Sequence, residues 1–193
     1  MIANLILGVA LAVPVPDIVT REEWGANQPV IDLEEHEIVT ITIHHTGTRQ
    51  NEERTLEDKL RGLQSFSQSE GRLASGKFKP AWADIPYHYY IDVTGRIGEG
   101  RSIEYPGDSN TSYNPAGHAL IVVEGSFPLD ELRPEQKESL YELTAYLADK
   151  YEVPANTILG HNDWTPGETV CPGTTITNLL PDLRQYVADR LAQ

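Results

Sequence analysis

Six histidines and one cysteine carry the metal-binding chemistry open to this chain: His36, His44, His45, His88, His118, His161 and Cys171. Two places stand out. His44 and His45 close a segment that alternates like a strand, and His161 follows a short strand ending Leu159-Gly160. Open α/β sheets place their ligands at strand ends. Cys171 lies on a loop ten residues after His161 (171 − 161 = 10). Two imidazoles and a thiolate suit zinc, and three protein ligands leave a fourth position for water. Zinc brings the pKa of such a water close to neutrality, which makes a nucleophile of it. The same residue types have plainer uses. A lone cysteine is often a small buried hydrophobe, and a histidine pair on a strand is often structural or superficial. Other catalytic signals are missing: there is no His-Glu-x-x-His and no Gly-x-Ser-x-Gly. Gly95, Gly98 and Gly100 follow a hairpin turn in the wrong order for a dinucleotide fingerprint.

Positioning such residues requires a scaffold, and hydrophobic periodicity supplies its outline. Glu37–His45 alternates as a strand containing three isoleucines. Thr55 opens a helix to about Glu70, with Leu56, Leu60, Leu63 and Phe66 at spacings of three and four. Gly71–Pro86 reads as a long loop. Tyr87–Val93, the turn Thr94-Gly95 and Arg96–Gly100 read as a hairpin. Ala119–Glu124 is a buried strand, Arg133–Tyr151 a helix with Pro134 in its first turn, Thr157–Leu159 a short strand, and Thr175–Leu191 a last helix. The order implies an α/β single domain with a central mixed β-sheet flanked by helices.

The chain has 193 residues, with 15 Lys plus Arg against 29 Asp plus Glu, a formal net charge of -14. That field disfavours nucleic acid and anionic membranes as partners. No stretch after the N-terminus approaches the roughly 18 apolar residues of a membrane span, so stable membrane insertion is not expected. One cysteine excludes a disulfide within the chain, and the fold must hold by packing or by a metal. Residues 1–16 read either as a short signal segment, apolar from Ile2 to Val13 but without a basic start, or as an N-terminal arm packed on the domain of residues 17–193. The first reading implies a periplasmic or extracellular protein.

Four blocks now resemble a known family. Arg21-Glu22-Glu23-Trp24-Gly25-Ala26 resembles a motif of peptidoglycan recognition proteins. Ile41-Thr42-Ile43-His44-His45-Thr46 resembles the first ligand strand of the zinc-dependent N-acetylmuramoyl-L-alanine amidases, whose members include T7 phage lysozyme and the anhydromuramyl amidases. Ala81–Ile91 resembles the strand that carries the family's catalytic tyrosine. Gly160-His161-Asn162-Asp163 and Thr169-Val170-Cys171-Pro172-Gly173 resemble the segment with the other two ligands. The chain departs from recognition proteins and the phage enzyme, which space His and Cys eight apart. Here the spacing is ten, with Trp164-Thr165-Pro166-Gly167 between. A further histidine that these relatives carry before the third strand is absent, and only Asn110 and its neighbours stand there.

The resemblance implies one Zn2+ held by His44, His161 and Cys171, and hydrolysis of the amide between the lactyl group of N-acetylmuramic acid and the first L-alanine of the stem peptide. Peptidoglycan or a muropeptide is the expected partner, and the protein is expected to be a monomer. Tyr87 would hydrogen-bond the attacking water, and Thr169 would hydrogen-bond the developing oxyanion. Glu124 would be an acid supporting the site, or else a solvated strand end. Stem peptides carry carboxylates, so the basic cluster Arg72, Lys77 and Lys79 is expected to border the cleft. Alternation decides between the two histidines. Counting back from His45 gives Ile43, Ile41 and Val39, an apolar series for the core. Counting back from His44 gives Thr42, Thr40 and Ile38, a face that turns polar towards its end. His44 is therefore the ligand and His45 its packed support, unless a bulge swaps the faces. Two other readings stand beside hydrolysis of the wall: a non-catalytic peptidoglycan-binding module, and a zinc amidase for a different amide.

Overall fold

The computed structural model of the protein describes residues 12–73 and 76–193. Strand β1 (Ile18–Val19) leads into helix α1 (Arg21–Trp24). A capping box starts that helix: Thr20 Oγ1 accepts from Glu23 N, and the Glu23 carboxylate accepts from Thr20 N. There follow β2 (Thr40–His45), α2 (Leu56–Ser67), β3 (Gly71–Arg72), β4 (Phe78–Lys79), β5 (Tyr89–Ile91), β6 (Ile97–Glu99) and β7 (His118–Val123). Helix α3 (Pro134–Lys150), β8 (Ile158–Gly160), α4 (His161–Trp164) and α5 (Thr174–Leu191) complete the chain.

Six strands form one sheet in the order β1-β6-β5-β7-β2-β8, and β3 and β4 make a separate hairpin. Strands β5, β7, β2 and β8 run parallel, β6 is antiparallel to β5, and β1 runs with β6. The expected mixed sheet flanked by helices is present in a single domain. Its two faces differ in character. One carries Ile41, Ile43, Ile91, Ile121 and Val123 against Leu140, Leu143 and Leu147 of α3 and Ile176, Leu180 and Leu183 of α5. Each such side chain contributes roughly 1.5–3 kcal/mol when fully buried, so this larger cluster carries most of the packing. The other face holds a smaller cluster of Trp24, Leu56, Leu60, Ile85, Tyr90 and Val122. Helix α2 comes close to β6 because Gly98 has no side chain: a Cβ there would lie 2.6 Å from Leu60 Cδ1. Thr42, His44 and His118 occupy the remaining, polar part of this second face.

Several boundaries differ from the expected ones. Strand β2 begins at Thr40, so Val39 lies outside it and is 62% exposed instead of in the core. Helix α2 stops at Ser67, where Lys79 meets its last carbonyls, and Phe66 stays exposed. The loop Gly71–Pro86 contains the β3–β4 hairpin. The apolar segment Ile2–Val13 falls mostly outside the described residues. Val13 itself is buried in the larger cluster, and its N–H donates to Asp149 Oδ2 at 3.0 Å. Among the described residues no helix is long and apolar enough to cross a membrane.

Candidate metal centre and cleft

His44 is the fifth residue of β2 and points to the polar face. Its Nδ1 lies 3.7 Å from Cys171 Sγ and its Nε2 3.3 Å from Tyr113 Oη. His161 is the first residue of α4, a turn fixed where Gly160 N donates to Asp163 Oδ2 at 2.8 Å. Its Nε2 meets Thr111 Oγ1 at 2.8 Å, which leaves Nδ1 to face the cleft. Asn162 N donates to Cys171 O at 2.8 Å, so the ten-residue loop closes on itself and returns Cys171 to the site. The ligand atoms of His44, His161 and Cys171 all lie within 4.8 Å of one another, and all three residues are buried.

This donor set fits zinc. Burial, aided by the neighbouring His161, holds His44 well below the usual histidine range, and burial brings His161 down to about 4. Both imidazoles therefore keep a lone pair for a metal at neutral pH. Burial also pushes the Cys171 thiol up to about 12, opposed by the His45 N–H, which donates to Sγ at 3.3 Å. A dication among these atoms reverses that balance and favours the thiolate. Hydroxyls on the far nitrogens of both rings orient them, as the outer partners of metal-binding imidazoles do.

A cleft of about 420 Å3 opens over the three residues and is also lined by Tyr87, Thr169, Lys77, Asn110 and Glu168. The Tyr87 ring lies 5.1 Å from that of His44, and burial raises its phenol far above the ordinary value, so it stays protonated. Thr169 Oγ1 accepts from Cys171 N at 3.1 Å. Glu168 accepts from Ser112 N at 2.9 Å, which joins the two loops forming this wall.

His45 turns to the opposite face, as alternation requires. Its Nδ1 accepts from Phe127 N at 3.4 Å and its ring stacks on Phe127. Three expected roles are corrected. Lys79 does not border the cleft: it is 0% exposed, and its Nζ donates to the carbonyls of Ser67, Ser69 and Pro80. The end of α2 leaves carbonyls without helical partners, and the buried ammonium satisfies them. Arg72 spends its guanidinium on Gly76 O across the hairpin and does not line the cleft. Of the three cations only Lys77 reaches it, with Nζ 3.3 Å from Asn110 O. Glu124 supports no ligand. It is a buried partner of Lys59 at 2.7 Å and accepts from Asn51 N and Val93 N, beside a neighbouring cavity of about 600 Å3. Sequence reasoning missed Tyr113, Ser109 and Thr111, which sit in an irregular loop where no periodicity marks a side chain as inward.

Comparison with known proteins places this geometry. The family described as N-acetylmuramoyl-L-alanine amidase matches residues 34–174, a span that holds all three clustered residues. The chain belongs to this family. It is similar to peptidoglycan-recognition protein SD of Drosophila simulans, 32% identical over 186 residues and covering 93% of each chain. The Drosophila melanogaster protein of the same name is 36% identical over 145 residues, 72% of this chain and 70% of that one. The crystal structure of Drosophila peptidoglycan recognition protein SD superposes with a TM-score of 0.70 at 27% identity, covering 86% of this chain and 94% of that one. The amidase LysC from Clostridium intestinale shares the fold, with a TM-score of 0.67 at 23% identity over 90% of this amidase-family chain and 99% of its own.

Proposed function

We propose that this family member is a zinc-dependent N-acetylmuramoyl-L-alanine amidase that cleaves the lactyl–L-alanine amide of peptidoglycan or muropeptides outside the cytoplasm. The observation that carries the reading is the convergence of His44, His161 and Cys171 within 4.8 Å in a cleft that Tyr87 and Thr169 also line. When bound, zinc supplies Lewis acidity to the scissile carbonyl and an acidified water. The protein's own groups do the rest. Tyr87, kept protonated, is a fixed hydrogen-bond partner for the attacking water. Thr169 already accepts from Cys171 N, so its hydroxyl proton is directed elsewhere and can be donated to a developing oxyanion. Lys77 puts a positive charge at the edge of the cleft, suited to a stem-peptide carboxylate. Support from comparison is twofold: the family itself, and relatives named for peptidoglycan recognition.

Those relatives' names also favour a second reading, a recognition module that binds peptidoglycan without cutting it. One experiment separates the two. Purified muropeptides are incubated with the protein, with and without chelator, and the products are weighed by mass spectrometry. Chelator-sensitive addition of one water at the lactyl amide is the expected result. Binding without any mass change would support the recognition module instead.

A further inference from the structure

The residues between His161 and Cys171 include Trp164, which lies in the stretch Trp164–Gly167 that lengthens this loop and which has no role in the chemistry above. Trp164 is 36% exposed, yet its indole is held firmly. Nε1 donates to Thr42 Oγ1 at 3.0 Å, and the ring meets His118 edge-on at 4.6 Å. Thr42 is fully buried, and its Oγ1 also lies 2.8 Å from His118 Nδ1. An indole N–H can only donate, so it occupies one lone pair of the Thr42 oxygen. The direction of the Thr42–His118 bond is set by the tautomer of His118.

Thr42 and His44 are two residues apart on β2, on the same face. Trp164 and His161 are three apart on α4, on the same side of that turn. The two ligand carriers are brought together first by the β2–β8 ladder, which pairs Ile43 with Gly160 next to His161, and their rings meet at 4.5 Å. Among the described residues the side-chain hydrogen bond that ties the turn α4 to β2 is the Trp164–Thr42 bond. Resting on the metal reading of the site, we infer that Thr42 is a positioning residue: its hydroxyl, shared between Trp164 and His118, holds the turn against β2, refines the spacing of His161 from His44 that the ladder sets, and so tunes the metal affinity of the centre. It touches neither substrate nor metal, and it acts through the two histidines.

Thr42→Val keeps the shape of the side chain and removes the hydroxyl, Thr42→Ser keeps the hydroxyl, and Trp164→Phe removes the donor together with one ring of the indole. Zinc affinity is measured by competition with a chromophoric chelator, the geometry of the centre by the visible spectrum of the cobalt-substituted protein, and folding by melting of the metal-free form. Groups bonded directly to metal ligands change affinity by about 10- to 100-fold, and Thr42 and Trp164 stand one contact further out, so about tenfold is expected. Thr42→Val and Trp164→Phe are each expected to weaken zinc by about that factor and to alter the cobalt spectrum, while Thr42→Ser restores both. A purely structural bond would lower the metal-free melting temperature of Thr42→Val and Trp164→Phe and leave zinc affinity and spectrum unchanged, and that result overturns the inference. If the unsubstituted protein takes up no zinc, the metal reading falls first and this inference with it.

Discussion

Lys79→Met should destabilise the protein without affecting substrate binding. The Lys79 ammonium is 0% exposed and donates to Ser67 O at 3.0 Å, Ser69 O at 2.7 Å and Pro80 O at 2.8 Å. It also lies 4.7 Å from the Trp82 ring centre and 5.1 Å from that of Phe66. Methionine keeps the length and the apolar stem and removes all three donors. A hydrogen bond from a charged group is worth roughly 1.5–3 kcal/mol net. Ser69 and Pro80 are exposed, so their carbonyls can recover water, whereas the bond to Ser67 O is buried. Relief of the ammonium's desolvation, which lowers the pKa of Lys79, offsets part of the loss. The balance is about 3 kcal/mol, or about 6–12 °C in Tm for a chain of this size. Thermal and urea unfolding of the variant measure it, and muropeptide turnover gives KM, which should stay put. A variant that melts like the unsubstituted protein but binds substrate less tightly would refute the reasoning and return Lys79 to the cleft.

Other predictions concern the site itself. Tyr87→Phe should fold and retain zinc but lose about 10²–10⁴ in rate, as loss of a proton-handling group does, and near-normal turnover would remove Tyr87 from the chemistry. His44→Ala should lose zinc, measured by metal analysis, whereas His45→Ala should keep zinc and lose roughly 2–4 kcal/mol of stability through the emptied space against Phe127. Lys77→Ser should raise KM about two- to fivefold at low salt and not at high salt, and an effect independent of ionic strength would argue against a charge contact. The metal-free protein should lose stability as pH falls from about 6.5 to about 4, because unfolded histidines bind protons in that window while burial holds His118 and His161 at about 4. The expected slope is about 1.4 kcal/mol per pH unit for each histidine, and a flat urea midpoint between pH 7 and 5 would contradict it.

Elements with a full hydrophobic period were legible in the sequence. The β2 alternation separated Ile41 and Ile43 from Thr42 and His44, and the structure puts the first pair in the larger core and the second on the polar face. Helix α3 matched because Leu140, Leu143 and Leu147 repeat at helical spacing. Helix α1 was overlooked although Thr20-x-x-Glu23 is a capping signal, since four residues show no period. The three residues that meet in the cleft were each named from residue type and resemblance. What surrounds them was not, because it depends on where loops return. Lys77 and Lys79 are alike in sequence, and only the position of the α2 terminus sends one to solvent and the other into the interior. Glu124 directly follows β7, and nothing local says that Lys59 of α2 will reach it. Tyr113, Ser109 and Thr111 find His44 and His161 across long separations in the chain, which no local pattern records.

The central claim is that a single zinc among His44, His161 and Cys171 drives cleavage of the lactyl–L-alanine amide. Metal-stripped protein titrated with zinc, with release of the stem peptide followed by mass spectrometry, tests it most directly. No product is expected at zero zinc, with activity that saturates at one zinc per chain and no recovery in Cys171→Ala or His161→Ala. Full cleavage by the stripped protein, or zinc-saturated protein that holds muropeptide and never cuts it, would show that zinc at these three residues does not drive the cleavage.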